Sequence, residues 1–486
     1  MEKIAIIGSG FSSLSAACYL AKDGYDVSIY EKNSDFGGRA RQFKVDGFRF
    51  DMGPSWYWMP DVFESFFNDF GKQVSDYYEL KRLTPSYRVI FSNDPPIDLP
   101  SNLNELYTLF ESIEKGSSIK LKAFLKDAKY NYDIAINKIV KQPGHSPFEL
   151  ITIETVTRVS QFFKNIHAHV TKQFSNDKLR QILEFPVLFL GAKPENTPYF
   201  YCFMNFADLS LGTWYPEGGM YQVVEGIYEL ADSLGVNFYA NAEIIGFNFE
   251  KDTITEIKLK DKNITCDYVV NGADYRHIEE LLPEKFQMYS ENYWDKRVMA
   301  PSALLFYIGF NKKIDHVLHH NLFFDADFKT HASEIYDTAQ WPTNPLFYAN
   351  FTTKTDLDDA PSGNESCFLL MPIAAGIEDS DSMRNKYYDL LMDRLELHTK
   401  QTLKNNVVYK RSFCVNDFIS EYNSFKGNAY GLANTLSQTA FLKPKLKNKK
   451  LKNLYNTGQL TVPGPGVPPA LISGKIVSEQ ILNLKY

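Results

Sequence analysis

Cysteine is scarce and scattered: five residues in 486 (Cys18, Cys202, Cys266, Cys367 and Cys414), with no C-x-x-C pair. That excludes a disulfide framework, and with no histidine cluster at ligand spacing it also excludes a zinc site, so no metal is expected. Long apolar runs are missing as well, and nothing approaches the roughly 18 residues that could span a bilayer. A strand pattern begins almost at the first residue, which leaves no room for a signal peptide. The expectation is an intracellular chain, soluble or attached to one membrane face. Positive charge is in deficit, with 52 Lys and Arg against 59 Asp and Glu for a net charge of -7. A nucleic-acid partner is not expected from that balance. What the chain has in excess is aromatic side chains: 37 Phe, 30 Tyr and 5 Trp. Stiff aromatic walls suit a large apolar ligand, and an ordinary aromatic-rich core has the same composition.

One further absence is local. The segment GSGFSSLSAA (Gly8 to Ala17) follows the apolar run Ile4-Ala5-Ile6-Ile7 and opens a helix-like stretch, where a dinucleotide-binding turn belongs. In G-x-G-x-x-G the third glycine lets the helix pack closely on the strand. Ser13 stands in its place. The surroundings nonetheless read as one β-α-β unit: strand Lys3 to Ile7, helix from about Phe11 to Lys22, turn at Asp23-Gly24, strand Tyr25 to Tyr30. Glu31 ends the second strand, where an acidic side chain can accept hydrogen bonds from an adenosine ribose. Gly37-Gly38 then supplies flexible backbone, and Arg39 offers a planar fork of donors for phosphate oxygens.

From about Asp61 to Leu211 the texture is helical and amphipathic, and α/β texture returns with WYPEGGMYQVVEGIYELADSLGVNFY. Apolar runs at Ala303 to Ile308 and Cys367 to Pro372 read as strands of a separate sheet. The end, NLYNTGQLTVPGPGVPPALISGK, gives a strand, a loop rich in glycine and proline, and a final helix from about Pro468. The expected division is 1–75, 212–290 and 416–486 for a nucleotide-binding domain in three parts, 76–211 for a mainly helical substrate region, and 291–415 for a mixed sheet.

Six blocks, IIGSGFSSLSAACYLAKDGYDVSIYEKN, GGRARQF, DMGPSW, GTWYPEGGMYQVV, NAYGLANTLSQTAFLKP and NLYNTGQLTVPGPGVPPALISGK, resemble in order and spacing the bacterial phytoene desaturase (carotenoid dehydrogenase) family over nearly the whole chain. The resemblance implies an α/β fold: a Rossmann-like FAD-binding domain of the amine-oxidase and glutathione-reductase type, a mixed-sheet substrate domain, and a helical insertion associated with a membrane. FAD is the implied cofactor. Carried across residue by residue, Gly8, Gly10, Phe11, Ser12 and Ser13 line the pyrophosphate, and Glu31 holds the adenosine ribose with Lys32 beside it. Gly38, Arg39 and Ala40 meet the phosphates and ribityl chain. The backbone at Asp51 to Ser55, including Gly53 and Pro54, and the segment Pro465 to Leu471, with Gly466, Val467 and Pro468, approach the isoalloxazine ring, with Gly458 and Gln459 in the preceding turn. Ser13 and Gln459 depart from the family pattern.

The implied reaction removes H2 from an allylic C–C bond of an acyclic C40 carotene, phytoene first and lycopene among the products. Hydride goes to flavin N5, a cation spreads over the neighbouring double bonds, and a proton leaves the adjacent carbon. A sister desaturase of a hydroxylated carotene (3,4-desaturation) or of a C30 precursor (diapophytoene) fits the same motifs. A flavin amine oxidase and a non-catalytic flavoprotein are more distant alternatives. Glu184, a lone carboxylate in ILEFPVLFLGAKP, is the candidate acid-base helper; an ion-pair partner or exposed helix residue is the plainer reading. In VTRVSQFFKNIHAHVTKQF, the residues Val156, Val159, Phe163, Ile166, Val170 and Phe174 fall near one helical face, which suits either a core helix or one lying in a membrane leaflet at the tunnel mouth. The lysine-rich stretch Lys443 to Asn453 suits anionic lipid or a solvated loop. Oxygen or a quinone would take the electrons, and the expected location is the cytoplasm, peripherally on the inner face of the cell membrane.

Overall fold

The computed structural model describes residues 1–92, 94–435 and 437–484. Its first layer is a five-stranded parallel sheet in the order Leu454–Asn456, Tyr268–Asn271, Lys3–Ile7, Asp26–Tyr30, Asn237–Tyr239. The inner strands Lys3–Ile7 and Tyr268–Asn271 are apolar because helices cover the sheet, as parallel sheets require, while the edge strand Asn237–Tyr239 is largely exposed. Phe11–Lys22 packs with the C-terminal helix Val467–Leu482 and with Tyr221–Ser233 around Leu14, Ile227 and Val477, all fully buried. Three stretches of chain far apart in sequence thus make one layer. A three-stranded antiparallel sheet, Gly246–Glu250, Thr253–Lys258 and Asn263–Thr265, lies against its other side.

The second sheet has seven strands in the order Val407–Phe413, Ser302–Phe310, Glu365–Ile373, Phe347–Asn350, His320–Phe324, Tyr87–Phe91, Ile97–Leu99. Strand Ser302–Phe310 shows how its faces divide. Successive side chains point to opposite faces. Leu304, Phe306 and Ile308 pack beneath helix Asp381–Thr399, while Ala303, Leu305 and Tyr307 face the helical region. The strands Tyr87–Phe91 and Ile97–Leu99 lie inside the span read above as helical, so the sheet reaches back further than the sequence texture implies. Helical structure proper begins at Leu103–Ile113 and continues, after a break at Gly116 with φ +84°, through Ser117–Ile134.

The segment 153–174 differs from the single amphipathic helix. It forms three short helices, Ile153–Thr157, Val159–Phe163 and Ile166–Gln173. Ile166, Val170 and Phe174 are fully buried, whereas Phe163 is 81% exposed and Val156 and Val159 are also exposed. A kink at Arg158 and another at Lys164-Asn165 rotate the two halves apart, so one apolar stripe serves two surroundings. The lysine-rich stretch is also not a free loop. Lys443 is buried, and the Lys445 and Lys450 ammonium groups donate to the carbonyls of Gly144 and Gln287. Among the described residues no helix is long and apolar enough to cross a membrane, no group of side chains is placed to hold a metal, and all five cysteines are unpaired.

Candidate functional site

A single cavity of about 740 Å³ runs from the turn after Ile7 into the space between the seven-stranded sheet and the helices. Two helix N-termini open onto it. Gly10 precedes Phe11–Lys22 and Gly466 precedes Val467–Leu482, and neither helix start has a side-chain cap. The first N–H groups of such helices lack backbone partners and carry the positive end of the helix dipole, which suits an anionic diphosphate. A Cβ on Gly10 would meet nothing within 4 Å, so this glycine leaves space for a ligand, while a Cβ on Gly38 would come 3.2 Å from the Gly10 Cα. On Gly53 it would sit 2.4 Å from the Arg39 carbonyl oxygen. Backbone approaches too closely at both positions for a side chain to fit without movement, and Gly38 also has φ +57°.

The absent third glycine has moved to the partner strand. Ser13 is fully buried against Gly272, where a Cβ would lie 1.9 Å from Ser13 Oγ. Ser13 is not among the lining residues and serves helix–strand packing instead of the pyrophosphate contact implied by the resemblance. The other residues singled out as cofactor-binding do line the cavity: Gly8, Gly10, Phe11, Ser12, Glu31, Lys32, Gly38, Arg39, Ala40, Gly53, Pro54, Ser55, Gly458, Gln459, Gly466, Val467 and Pro468.

Glu31 holds the turn together from inside. Its Oε2 accepts from the Ser9 backbone N–H (2.9 Å) and hydroxyl (2.6 Å), and its Oε1 from the Asn33 N–H (2.9 Å). Lys32 donates to the Ser420 carbonyl at 2.6 Å and to Asn423 at 2.8 Å, tying the turn to the helix Val415–Tyr422. Arg39 lies over the Tyr422 ring at 5.2 Å and donates from Nη2 to Ser424 Oγ at 3.0 Å. Its buried Nε has no partner. Burial pulls the guanidinium below its usual value, and the nearby Asp274 carboxylate opposes this. An orphaned donor beside two uncapped helix starts fits the phosphates of FAD. The Gly458 turn is set by Ser473, whose Oγ accepts from the Gly458 N–H at 3.1 Å, and Gln459 donates to Asn428 Oδ1 at 3.3 Å. The Gly218-Gly219 turn lets Asp51 accept from the Met220 and Tyr221 N–H groups; burial raises its carboxyl to about 6.

Beyond Ser55 the walls turn apolar, with Phe185, Phe200, Phe203, Leu305, Leu322 and Phe324 among them. Trp56 stacks on His320, ring centroids 4.0 Å apart. Tyr348 also lines this part, bonded to His320 Nδ1 at 2.6 Å. Behind the wall, Tyr87 donates to Asp208 at 2.8 Å, and burial pushes that carboxyl up to about 7. Glu184 is buried and its carboxyl raised by desolvation, yet it faces His167 Nδ1 at 2.7 Å and is not among the lining residues. The ion-pair reading therefore describes its position. Sequence reasoning missed Tyr348, His320, Asp208 and Gly272. Only Gly272, in the stretch VVNGAD (Val269 to Asp274), carried a visible signal, a glycine directly after an apolar run.

A family model for flavin containing amine oxidoreductases matches residues 11–482, which defines the class as FAD-dependent oxidoreductases. A redesigned putrescine oxidase shares the fold, with a TM-score of 0.62 and 13% identity over 99% of each chain. The sequence is 40% identical over 486 residues to a carotenoid 3,4-desaturase of Haloarcula japonica, covering 99% of this chain and 98% of that one. It is 32% identical over 498 residues to a 4,4'-diapophytoene desaturase (4,4'-diaponeurosporene-forming) of Staphylococcus aureus, covering 99% of both. The chain belongs to the carotenoid desaturases of the flavin containing amine oxidoreductase family.

Proposed function

We propose that the enzyme introduces double bonds into an acyclic carotenoid, acting on a CH–CH group. The observation that carries this reading is the continuity of one cavity from two uncapped helix starts into an aromatic and aliphatic wall. FAD would lie with its ribose at Glu31, its phosphates at Gly10 to Ser12 and Arg39, and its ring toward Gly53 to Ser55 and Pro465 to Pro468. When bound, the flavin supplies a hydride acceptor. The protein's own part is to bind, orient and dehydrate the substrate. A hydrocarbon offers only shape and apolar area, and each 100 Å² removed from water is worth about 2.5 kcal/mol. None of the second-sheet residues lining the wall (Ala303, Leu305, Leu322, Phe324, Phe347, Tyr348, Leu370, Pro372) is charged, which disfavours an amine substrate.

Similarity to a 3,4-desaturase and a C30 desaturase favours a later or shorter carotenoid, with phytoene as the second candidate. Substrate would enter from a membrane. One end of the cavity is lined by Gln142, Gly144, Ser146, Glu149 and Leu150, and beside it Phe148, Ile151, Ile153, Val156, Val159 and Phe163 are exposed. Exposed apolar side chains gathered along one stretch of chain suit one leaflet at the inner face of the cell membrane. Electrons would leave to oxygen or to a membrane quinone. The test is to incubate the FAD-loaded protein in liposomes with a hydroxylated C40 carotene, diapophytoene or phytoene, and record the absorption spectrum of each extract. New structured bands at longer wavelength with one of them establish the desaturase and its substrate. A colourless extract from all three, with FAD bound, refutes the reading.

A further inference from the structure

The reaction proposed above must dispose of a proton as well as a hydride, and Glu184 is turned away from the cavity. A different pair of side chains meets the need. Tyr348, on strand Phe347–Asn350, lines the cavity, and the hydroxyl of Ser55, next to Gly53-Pro54, reaches its phenol. Behind Tyr348 lies His320, fully buried on the neighbouring strand His320–Phe324. The Tyr348 Oη to His320 Nδ1 distance is 2.6 Å.

The direction of that hydrogen bond follows from a third residue. Asn350 Nδ2 donates to the His319 carbonyl at 3.1 Å, which orients the amide, and the same Nδ2 lies 3.3 Å from His320 Nδ1. The amide donates, which fits a His320 tautomer with Nδ1 as acceptor and the ring proton on Nε2, and the same side chain also bonds the Tyr348 phenol. In that tautomer Tyr348 donates to Nδ1. The Nε2 group is buried and without a partner. Trp56 covers the ring face at 4.0 Å and holds the imidazole in this plane. Other titratable groups facing the pair are His319, itself bonded to Thr355, with Asp356 beyond it, and Cys367 and Tyr430 on the Tyr348 side.

We propose that Tyr348 and His320 form a proton relay that takes the proton lost from the substrate. With FAD bound as the hydride acceptor, the carbon adjacent to the one that has lost hydride would give its proton to Tyr348 Oη. The phenolic proton passes at the same time to His320 Nδ1. The C–H electron pair becomes the new C=C bond, Tyr348 stays neutral, and His320 becomes imidazolium until the emptied cavity admits water. Burial makes His320 a weak base. Against a polyenyl cation, a very strong carbon acid, a weak base suffices, and its weakness keeps it unprotonated and ready between turnovers.

The relay rests on the desaturase reading, and the experiment separates the two. Tyr348→Phe keeps the ring in the wall and removes the acceptor oxygen; His320→Gln removes the imidazole. Both variants are expected to retain FAD, measured by flavin absorbance, while anaerobic bleaching of the flavin by carotenoid slows about 100-fold in Tyr348→Phe and at least about 10-fold in His320→Gln. In the ¹⁵N spectrum of histidine-labelled holoenzyme, assigned with His320→Gln, His320 is expected as a neutral ring with a hydrogen-bonded imine Nδ1. Tyr348→Phe should return that nitrogen toward the unbonded position. Bleaching within twofold of wild type in Tyr348→Phe, or a His320 ring protonated at Nδ1, overturns the relay. If no carotenoid reacts with wild type, the functional reading falls, and the nitrogen spectrum still decides whether the hydrogen-bonded pair exists.

Discussion

Replacing Gly272 by alanine tests the displaced glycine directly. The added methyl would sit 1.9 Å from Ser13 Oγ and 3.2 Å from Ser13 Cβ. Turning the hydroxyl away relieves the first contact only, so the helix Phe11–Lys22 must move off strand Tyr268–Asn271 by several tenths of an ångström. Overpacking of this kind costs about 1–3 kcal/mol, and about 2 kcal/mol is expected here. The same shift moves the Gly10 helix start relative to Arg39, so FAD retention should fall too. Ser13→Gly removes both clashing atoms and leaves Ile7 O, at 3.4 Å, as the next contact. The double variant, with the motif restored to three glycines, should recover most of the loss, less about 0.5–1 kcal/mol for glycine in a helix. Denaturant unfolding of wild type, both single variants and the double variant gives the coupling energy. An equal cost of Gly272→Ala with serine or glycine at 13 would refute the steric account.

Lys443 is 2% exposed, its Nζ has no partner, and burial lowers it to about 7. Folding below that pH carries a buried charge, and the cost fades as pH rises from about 7 toward the unfolded value. Lys443→Met should therefore be more stable at neutral pH by on the order of 3–5 kcal/mol, a gap that thermal melts should show closing near pH 10. Asp208 has the opposite sign: its carboxyl, raised to about 7, contributes most below pH 4, and that contribution is lost as pH rises through about 7. Asp208→Asn should flatten this decline in melts from pH 4 to 8. Phe163→Asp with Ile153→Asp alters only exposed positions and should abolish liposome flotation in a folded protein, whereas Ile166→Asp, at a fully buried site, should unfold it. Unchanged flotation of the first variant would remove the membrane surface from the proposal.

The sequence alone determined the elements whose signals are local. The strand Lys3–Ile7, the helix Phe11–Lys22, the strand ending at Tyr30 and the C-terminal helix at Val467 all follow from apolar periodicity and from glycine and proline at their ends. The cofactor turn was legible for the same reason: the residues that form it are neighbours in the chain. Only the tertiary structure decided matters that depend on what lies opposite. Ser13 is harmless because Gly272, from a strand far along the chain, makes room for it. Half of the stripe from Val156 to Phe174 is core and half is exposed, because two kinks turn one periodicity toward two surroundings. Glu184 has the burial its sequence context implies, yet His167 and not the cavity stands opposite its carboxyl. Tyr348 and His320 carry no motif at all, since their meeting depends on the pairing of Phe347–Asn350 with His320–Phe324. Strand register is set by the packing of whole faces, and no short stretch of sequence contains it.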